Sequence, residues 1–224
     1  MSSYEVLLAK SWRAESPQQG VPDYAKLISH LRAVELAGAK IVESAGELIL
    51  RQLCLPVDTW LPRLARAIKA ACLCHDVGKA NDGFQEMVTG RRDPTRQPAR
   101  HELLSALLLD DKSSPLRSWA VKMLNAEDKN CTDKLLDCVI GAVAGHHIKL
   151  DEKWLKAMRA LGGGCGLKLQ MFLTHPDMNN FFGEKLFTEE VRFSLVDGVP
   201  TSLAARRIRF NFDSNQWREW LKTD

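Results

Sequence analysis

The chain has 224 residues, is 45% hydrophobic and 26% charged, and carries a formal charge of +3. These values suit one large folded domain and exclude a disordered or collagen-like chain. So small a net charge is no general nucleic-acid coat, so any such contact must come from a local patch. No apolar run approaches the roughly 20 residues of a membrane span, and no basic stretch precedes an apolar core at the N-terminus; neither a membrane contact nor a signal peptide is expected. Six cysteines are present, none in a Cys-x-x-Cys pair, which points to free buried thiols in a reducing cytoplasm.

Residues 4–23 read as irregular, punctuated by Pro17, Gly20 and Pro22. Asp23 is placed to cap a helix from about Tyr24, with Leu27, Leu31, Val34, Ile41, Ala45 and Leu48 as its apolar stripe and His30 beside it. Gly38 and Gly46 are expected to bend or break it. Asp58 or Thr59 caps a second helix with Pro62 in its first turn; its stripe is Leu64, Ile68, Ala71/Cys72 and then His75, and Gly78 is expected to end it. Asn81 to Val88 reads as a short helix. Gly90 to Arg100 reads as a loop with four arginines, Arg91, Arg92, Arg96 and Arg100. His101, Leu104 and Leu108 share a face of the next helix, with Ser105 one turn after His101. Residues 115–125 are expected to be helical. Thr132 or Asp133 caps a helix whose stripe is Leu135, Val139, Ala142/Val143 and His146, with His147 adjoining. Lys153 to Leu161 adds a short helix. Beyond the glycines of 162–166, Val191–Leu195 and Arg207–Phe212 alternate like strands around a turn at Asp197-Gly198, and Trp217–Leu221 starts a last helix. The glycine run lacks the spacing of a P-loop.

Five of the six histidines, at 30, 75, 101, 146 and 147, fall on or beside apolar helical stripes. One buried imidazole finds an ordinary hydrogen-bond partner. Five spread over four helices are costly unless they share one, and a transition metal is the economical choice. Asp76 adds the negative charge.

The series His30, His75-Asp76, His101 and His146-His147 resembles the ligands of the HD superfamily of metal-dependent phosphohydrolases. More narrowly, His75-Asp-Val-Gly-Lys-Ala-Asn-Asp-Gly-Phe-Gln85, with Arg100-His-Glu-Leu-Leu-Ser105, Gly145-His-His147 and Ala9-Lys10-Ser11, resembles the HD nuclease domain of the type I CRISPR-associated helicase–nuclease. The likeness runs from about residue 5 to 150. It implies an all-α HD-domain bundle; with the residue pattern, the core reads as about 5–160 and residues 162–213 as an irregular insertion carrying a small β-ribbon. It implies one or two divalent ions, such as Mn, Ni, Co, Fe or Mg. His30, His75 and Asp76 would hold one, and Asp76, His101, His146 and His147 the other, with Asp76 bridging. By the same resemblance Asp76 and Lys79 serve catalysis, Lys79 by holding a phosphate oxygen or balancing charge, and Ser105 is an accessory contact. The implied substrate is single-stranded DNA, with Arg91, Arg92, Arg96 and Arg100 on its backbone, and the implied partners are a helicase domain, in the same or a separate chain, and the CRISPR surveillance complex. The family also has a late aspartate. Asp177, Asp197, Asp213 and Asp224 are candidates by position only, so the chain reads as an N-terminal piece of a longer protein. The alternatives are a nucleotide phosphohydrolase and a helical partner-binding module whose histidines are core.

Overall fold

The computed structural model describes residues 4–12, 19–93, 100–125, 128–147, 167–183 and 191–195, the last segment through its backbone. Helix α1 (Leu27–Gln52) lies along α2 (Val57–Cys74). Helix α2 also packs on a group made by α4 (His101–Asp110), α5 (Pro115–Leu124) and α6 (Lys129–Gly145), through α5 and α6. A short helix α3 (Asp82–Val88) follows a 3-10 turn at Val77–Lys79. Among the described residues the fold is all-α apart from one antiparallel ribbon, β1 (Leu167–Met171) with β2 (Val191–Leu195), and a helix α7 (Pro176–Phe182) lies between those strands in sequence. No described helix is long and apolar enough to cross a membrane.

The α1–α2 contact departs from the expected stripe. Gly38 and Gly46 do not break α1; they are buried against side chains of α2. A Cβ on Gly38 would sit 2.7 Å from Cys72 Sγ, and one on Gly46 would sit 2.8 Å from Leu61 Cδ1. The missing side chains let the two helices approach, and this packing outweighs the poor helix propensity of glycine. The apolar residues Ile41 and Leu48 then face outward, 54% and 60% exposed. Asp23 does not cap α1. It lies in a 3-10 turn, Asp23–Ala25, and pairs with Lys26. Nor do Thr132 and Asp133 cap α6: Asp128 does, accepting from the N–H groups of Asn130 and Cys131.

Helix α4 is the middle of the fold. Every residue from His101 to Leu109 is buried. Its leucines meet Leu27 and Leu31 of α1 and Leu136 and Ile140 of α6 in one core. Full burial of each such leucine stabilises by about 2 kcal/mol.

The ribbon is stitched to the turn that follows α2. Phe172 N–H donates to Ala80 O at 2.7 Å, and Asn81 bridges to Met171. The described partner of β2 is β1, which the expected pairing of strands had not included. The expected elements at 153–161, 207–212 and 217–221, the turn at 197–198, and Asp197, Asp213 and Asp224 all lie outside the described residues.

Candidate metal centre

The site is built where two helices end and one begins. Helix α2 ends at Cys74, so His75 is its C-cap; α6 ends at Gly145, so His146 is its C-cap. Carbonyls in the last turn of a helix lack main-chain donors. Each cap histidine uses one: His75 Nδ1 lies 2.8 Å from Cys72 O, and His146 Nδ1 lies 2.7 Å from Val143 O. Nδ1 carries the proton in both, since a carbonyl only accepts. The Nε2 lone pairs are thereby turned inward.

They are aimed at Asp76, which is 1% exposed. Its two oxygens face different histidines. Oδ1 lies 3.0 Å from His101 Nε2 and 3.3 Å from His146 Nε2. Oδ2 lies 2.8 Å from His30 Nε2, 3.1 Å from His75 Nε2 and 2.7 Å from Lys79 Nζ. His147 joins the first set, with its ring 5.0 Å from that of His101 and 4.1 Å from that of His146. The donor atoms thus form two groups sharing Asp76: His30 with His75, and His101 with His146 and His147. Among the described residues no cysteine or Asp177 joins either group.

The charges in this cluster do not balance by hydrogen bonding alone. Asp76 Oδ1 and His146 Nε2 are buried, face each other, and make no hydrogen bond. With its proton on Nδ1, His146 sets a lone pair against a carboxylate oxygen. A cation between them removes the repulsion. The 3.0–3.3 Å separations around Oδ1 match the edge between two donors each about 2.1 Å from one ion. Imidazole and carboxylate are ordinary donors for first-row divalent metals. The residues fit a metal.

The protonation states follow the same geometry. Burial alone would raise the Asp76 carboxyl, but its contacts with His101, His146, His30 and His75 outweigh burial and hold it far below the usual carboxylate range. His146 is shifted up: burial opposes its charge, and the attraction of Asp76 wins. His101 is shifted down because burial dominates, and His147 is shifted down by burial and by the neighbouring His146 and His101.

The rest of the His75–Gln85 string builds the turn. Gly78 packs on α4 so closely that a Cβ would overlap the His101 carbonyl. Gly78 therefore marks a close approach beyond the end of α2. Its N–H donates to Ser105 Oγ at 2.7 Å. Ser105 is fully buried and holds the turn to α4. Asn81 caps α3, accepting from Phe84 N–H, and its amide donates to Gly78 O. Gln85 is fully buried: its amide donates to Leu8 O and Lys79 O and accepts from Leu8 N–H. Lys79, 8% exposed, stands 5.5 Å from the centroid of the Phe84 ring.

The arginines divide. Arg91 lies over the Tyr4 ring at 5.2 Å, Arg92 pairs with Glu86 at 2.9 Å, and both are exposed. Arg96 lies outside the described residues. Arg100 turns inward and pairs with Glu102, whose side chain is fully buried. Glu102 was not singled out in the sequence, although an acid inside the apolar run His101–Leu109 signals a buried partner. Asp177 accepts from Leu7 N–H at 3.0 Å and lies 3.6 Å from His175 Nδ1, so it serves that contact and not the centre.

A helical bundle in which a His-Asp pair gathers histidines from three further helices defines a metal-binding HD-type domain. The chain belongs to the family described as Cas3, HD domain, whose model matches residues 9–178. That match runs past residue 150, where the likeness read from the motifs stopped. The chain is 30% identical over 215 residues to a protein of Myxococcus xanthus (strain DK1622) named putative CRISPR-associated nuclease/helicase Cas3. The match covers 96% of this chain and 26% of that relative, so the chain spans about a quarter of the length of the relative. No solved structure matches.

Proposed function

We propose that this chain is a metal-dependent nuclease domain that hydrolyses phosphodiester bonds of single-stranded DNA in type I CRISPR interference, in the cytoplasm. The observation that carries the reading is the division of the Asp76 carboxylate, with Oδ1 toward His101 and His146 and Oδ2 toward His30 and His75. One oxygen per group is what a bridging carboxylate requires. In this reading His30, His75 and Asp76 hold one divalent ion, and Asp76, His101, His146 and His147 hold the other. Bound ions of this kind supply Lewis acidity, both to generate the nucleophile and to stabilise the leaving oxygen.

The chain's own groups do the rest. The carbonyls of Cys72 and Val143 keep His75 and His146 in the ligating tautomer. The Lys79 ammonium, beside Asp76 Oδ2, offers positive charge to a phosphate oxygen. Exposed Arg91 and Arg92, with Arg96, attract the DNA backbone without reading sequence. A helicase domain and the CRISPR surveillance complex are the partners this reading requires. The named activity of the Myxococcus relative agrees with the helicase.

The test is cleavage of single-stranded DNA by the purified chain with added manganese, nickel or magnesium, beside Asp76→Ala. The reading predicts metal-dependent cleavage that Asp76→Ala abolishes. Cleavage that survives the substitution contradicts it. Hydrolysis of nucleotides with DNA left intact moves the substrate to the nucleotide class.

A further inference from the structure

A cavity of about 310 Å³ lies between the start of α1, helix α7 and the N-terminal segment. That volume falls at the lower end of the range for small-molecule sites. Its walls carry Lys26, Ser29 and Arg32 from the start of α1, and Asp177, Asn180 and Phe181 from α7. None of these residues belongs to the two histidine groups around Asp76.

The start of α1 nevertheless serves both places. Ser29 precedes His30 in the chain, and His30 N–H donates to Lys26 O at 3.1 Å. Residues four apart share a helix face and stand about 6 Å apart along the axis. Lys26 is therefore one turn from His30, whose Nε2 lies 2.8 Å from Asp76 Oδ2. Ser29 and Arg32 occupy the adjoining face of the same two turns. A polymer held at the metal centre passes the cavity.

The lining has the chemistry that receives a nucleotide. Arg32 Cζ stands 5.1 Å from the centroid of the Phe181 ring. Guanidinium planes and aromatic rings are the surfaces on which single-stranded bases stack, and stacking does not depend on which base is present. The Ser29 hydroxyl and the Asn180 amide each donate and accept, so they suit the edge of any base. Lys26 pairs with Asp23, whose side chain is 84% exposed; so open a pair contributes little and yields to a phosphate. Asp177, the carboxylate of the group, accepts the Leu7 N–H at 3.0 Å, which offsets part of its repulsion of an anion. Arg32 and Asn180 are exposed, so the cavity is open on one side, as a passing strand requires.

We propose that this cavity holds one nucleotide of the single strand beside the bond that is cut, with its base against Arg32 and Phe181 and its phosphate on Lys26. This rests on the reading of the chain as a DNA nuclease.

The test is binding of a fluorescent single-stranded oligonucleotide to the metal-stripped chain, where nothing is cut, for the wild type, Lys26→Ala, Arg32→Ala and Phe181→Ala. Arg32→Ala and Phe181→Ala should each weaken binding by about tenfold. Lys26→Ala should lower the log-affinity against log-salt slope by about 0.7. The exposed Arg32 reports even where Phe181→Ala, which also loses its contact with Phe182, fails to fold. A purely structural role would lower the melting temperature and leave the affinity alone. In the wild type, a strand carrying a photoactivatable iodouracil should cross-link to Phe181. Wild-type affinity in Arg32→Ala and Lys26→Ala, with no cross-link on α1 or α7, overturns the subsite and leaves the nuclease reading standing. A free mononucleotide that binds as tightly as the oligonucleotide overturns the strand as occupant. A wild type that neither binds the strand nor cuts it with manganese overturns both.

Discussion

Gly78 lies against the main-chain carbonyl of His101, at a distance that admits hydrogen and no larger substituent. Through this contact the turn after Asp76 seats on the first turn of α4, and it brings His101 Nε2 to 3.0 Å from Asp76 Oδ1. Gly78→Ala puts a methyl group into that backbone. The expected cost is about 3 kcal/mol or more, since overpacking relieved only by backbone movement sits at the high end of its range. Ser105→Ala leaves the buried Gly78 N–H without its acceptor and should cost about 1–3 kcal/mol. Chemical denaturation of the metal-stripped proteins measures both. Wild-type stability in Gly78→Ala would contradict the close approach.

Gln85 should behave as a folding residue. It pairs with Leu8 twice and with the carbonyl of Lys79 once, all in the interior. Gln85→Ala strands three buried main-chain groups and should cost about 3 kcal/mol. The N-terminal segment should loosen with it. Hydrogen exchange at Leu8 and Ala9 reads this directly, and unchanged protection there would refute the pinning role.

The arginines should separate by experiment. Arg91→Ala and Arg92→Ala should leave the melting temperature within about 2 °C, since exposed charged pairs contribute little. Each should weaken binding of single-stranded DNA and lower the log-affinity against log-salt slope by about 0.7. Arg100→Ala should do the reverse: it bares the buried Glu102 and destabilises the fold by about 3 kcal/mol. Loss of DNA affinity in Arg100→Ala with full stability would return that residue to the DNA surface.

Metal binding should weaken in acid through His146. Its pKa is raised above the ordinary 6.5, so its proton competes with the metal from a higher pH than for an ordinary histidine. Affinity should fall by about tenfold per pH unit below that raised value for each proton displaced. The same proton stabilises the metal-free fold. That contribution is full below the unfolded value and is lost as the pH rises through the folded one. His101 and His147, shifted down, compete only at lower pH. Calorimetry with manganese at pH 8, 7 and 6 gives the slope. It should flatten in His146→Ala, and an unchanged slope would remove His146 from the ligands.

The histidines were legible in the sequence because helical periodicity reports which face is buried. His75 and His146 also sit at helix ends, where position alone supplies a carbonyl. Gly78 was misread as the end of α2, and its contact with Ser105 went unseen, because no spacing within one helix encodes that contact. The α1 stripe failed at Ile41 and Leu48 because Gly38 and Gly46 draw α2 onto their own face. Within His101–Leu109 everything is buried, so periodicity vanishes and the one informative residue is the acid, Glu102. Helix α7 gave no stripe because it is only seven residues long, opening on Pro176 and closing at Gly183 in the left-handed region with φ of 73°.

The central claim is that Asp76 is shared by two metal groups. Its most direct measurement is an anomalous difference map from a crystal of this chain soaked in manganese. The account predicts density on both sides of Asp76, one peak among His30, His75 and Oδ2, the other among His101, His146, His147 and Oδ1. Both peaks should vanish in Asp76→Ala. A map with no density against Asp76, or with peaks that persist in the variant, would contradict it.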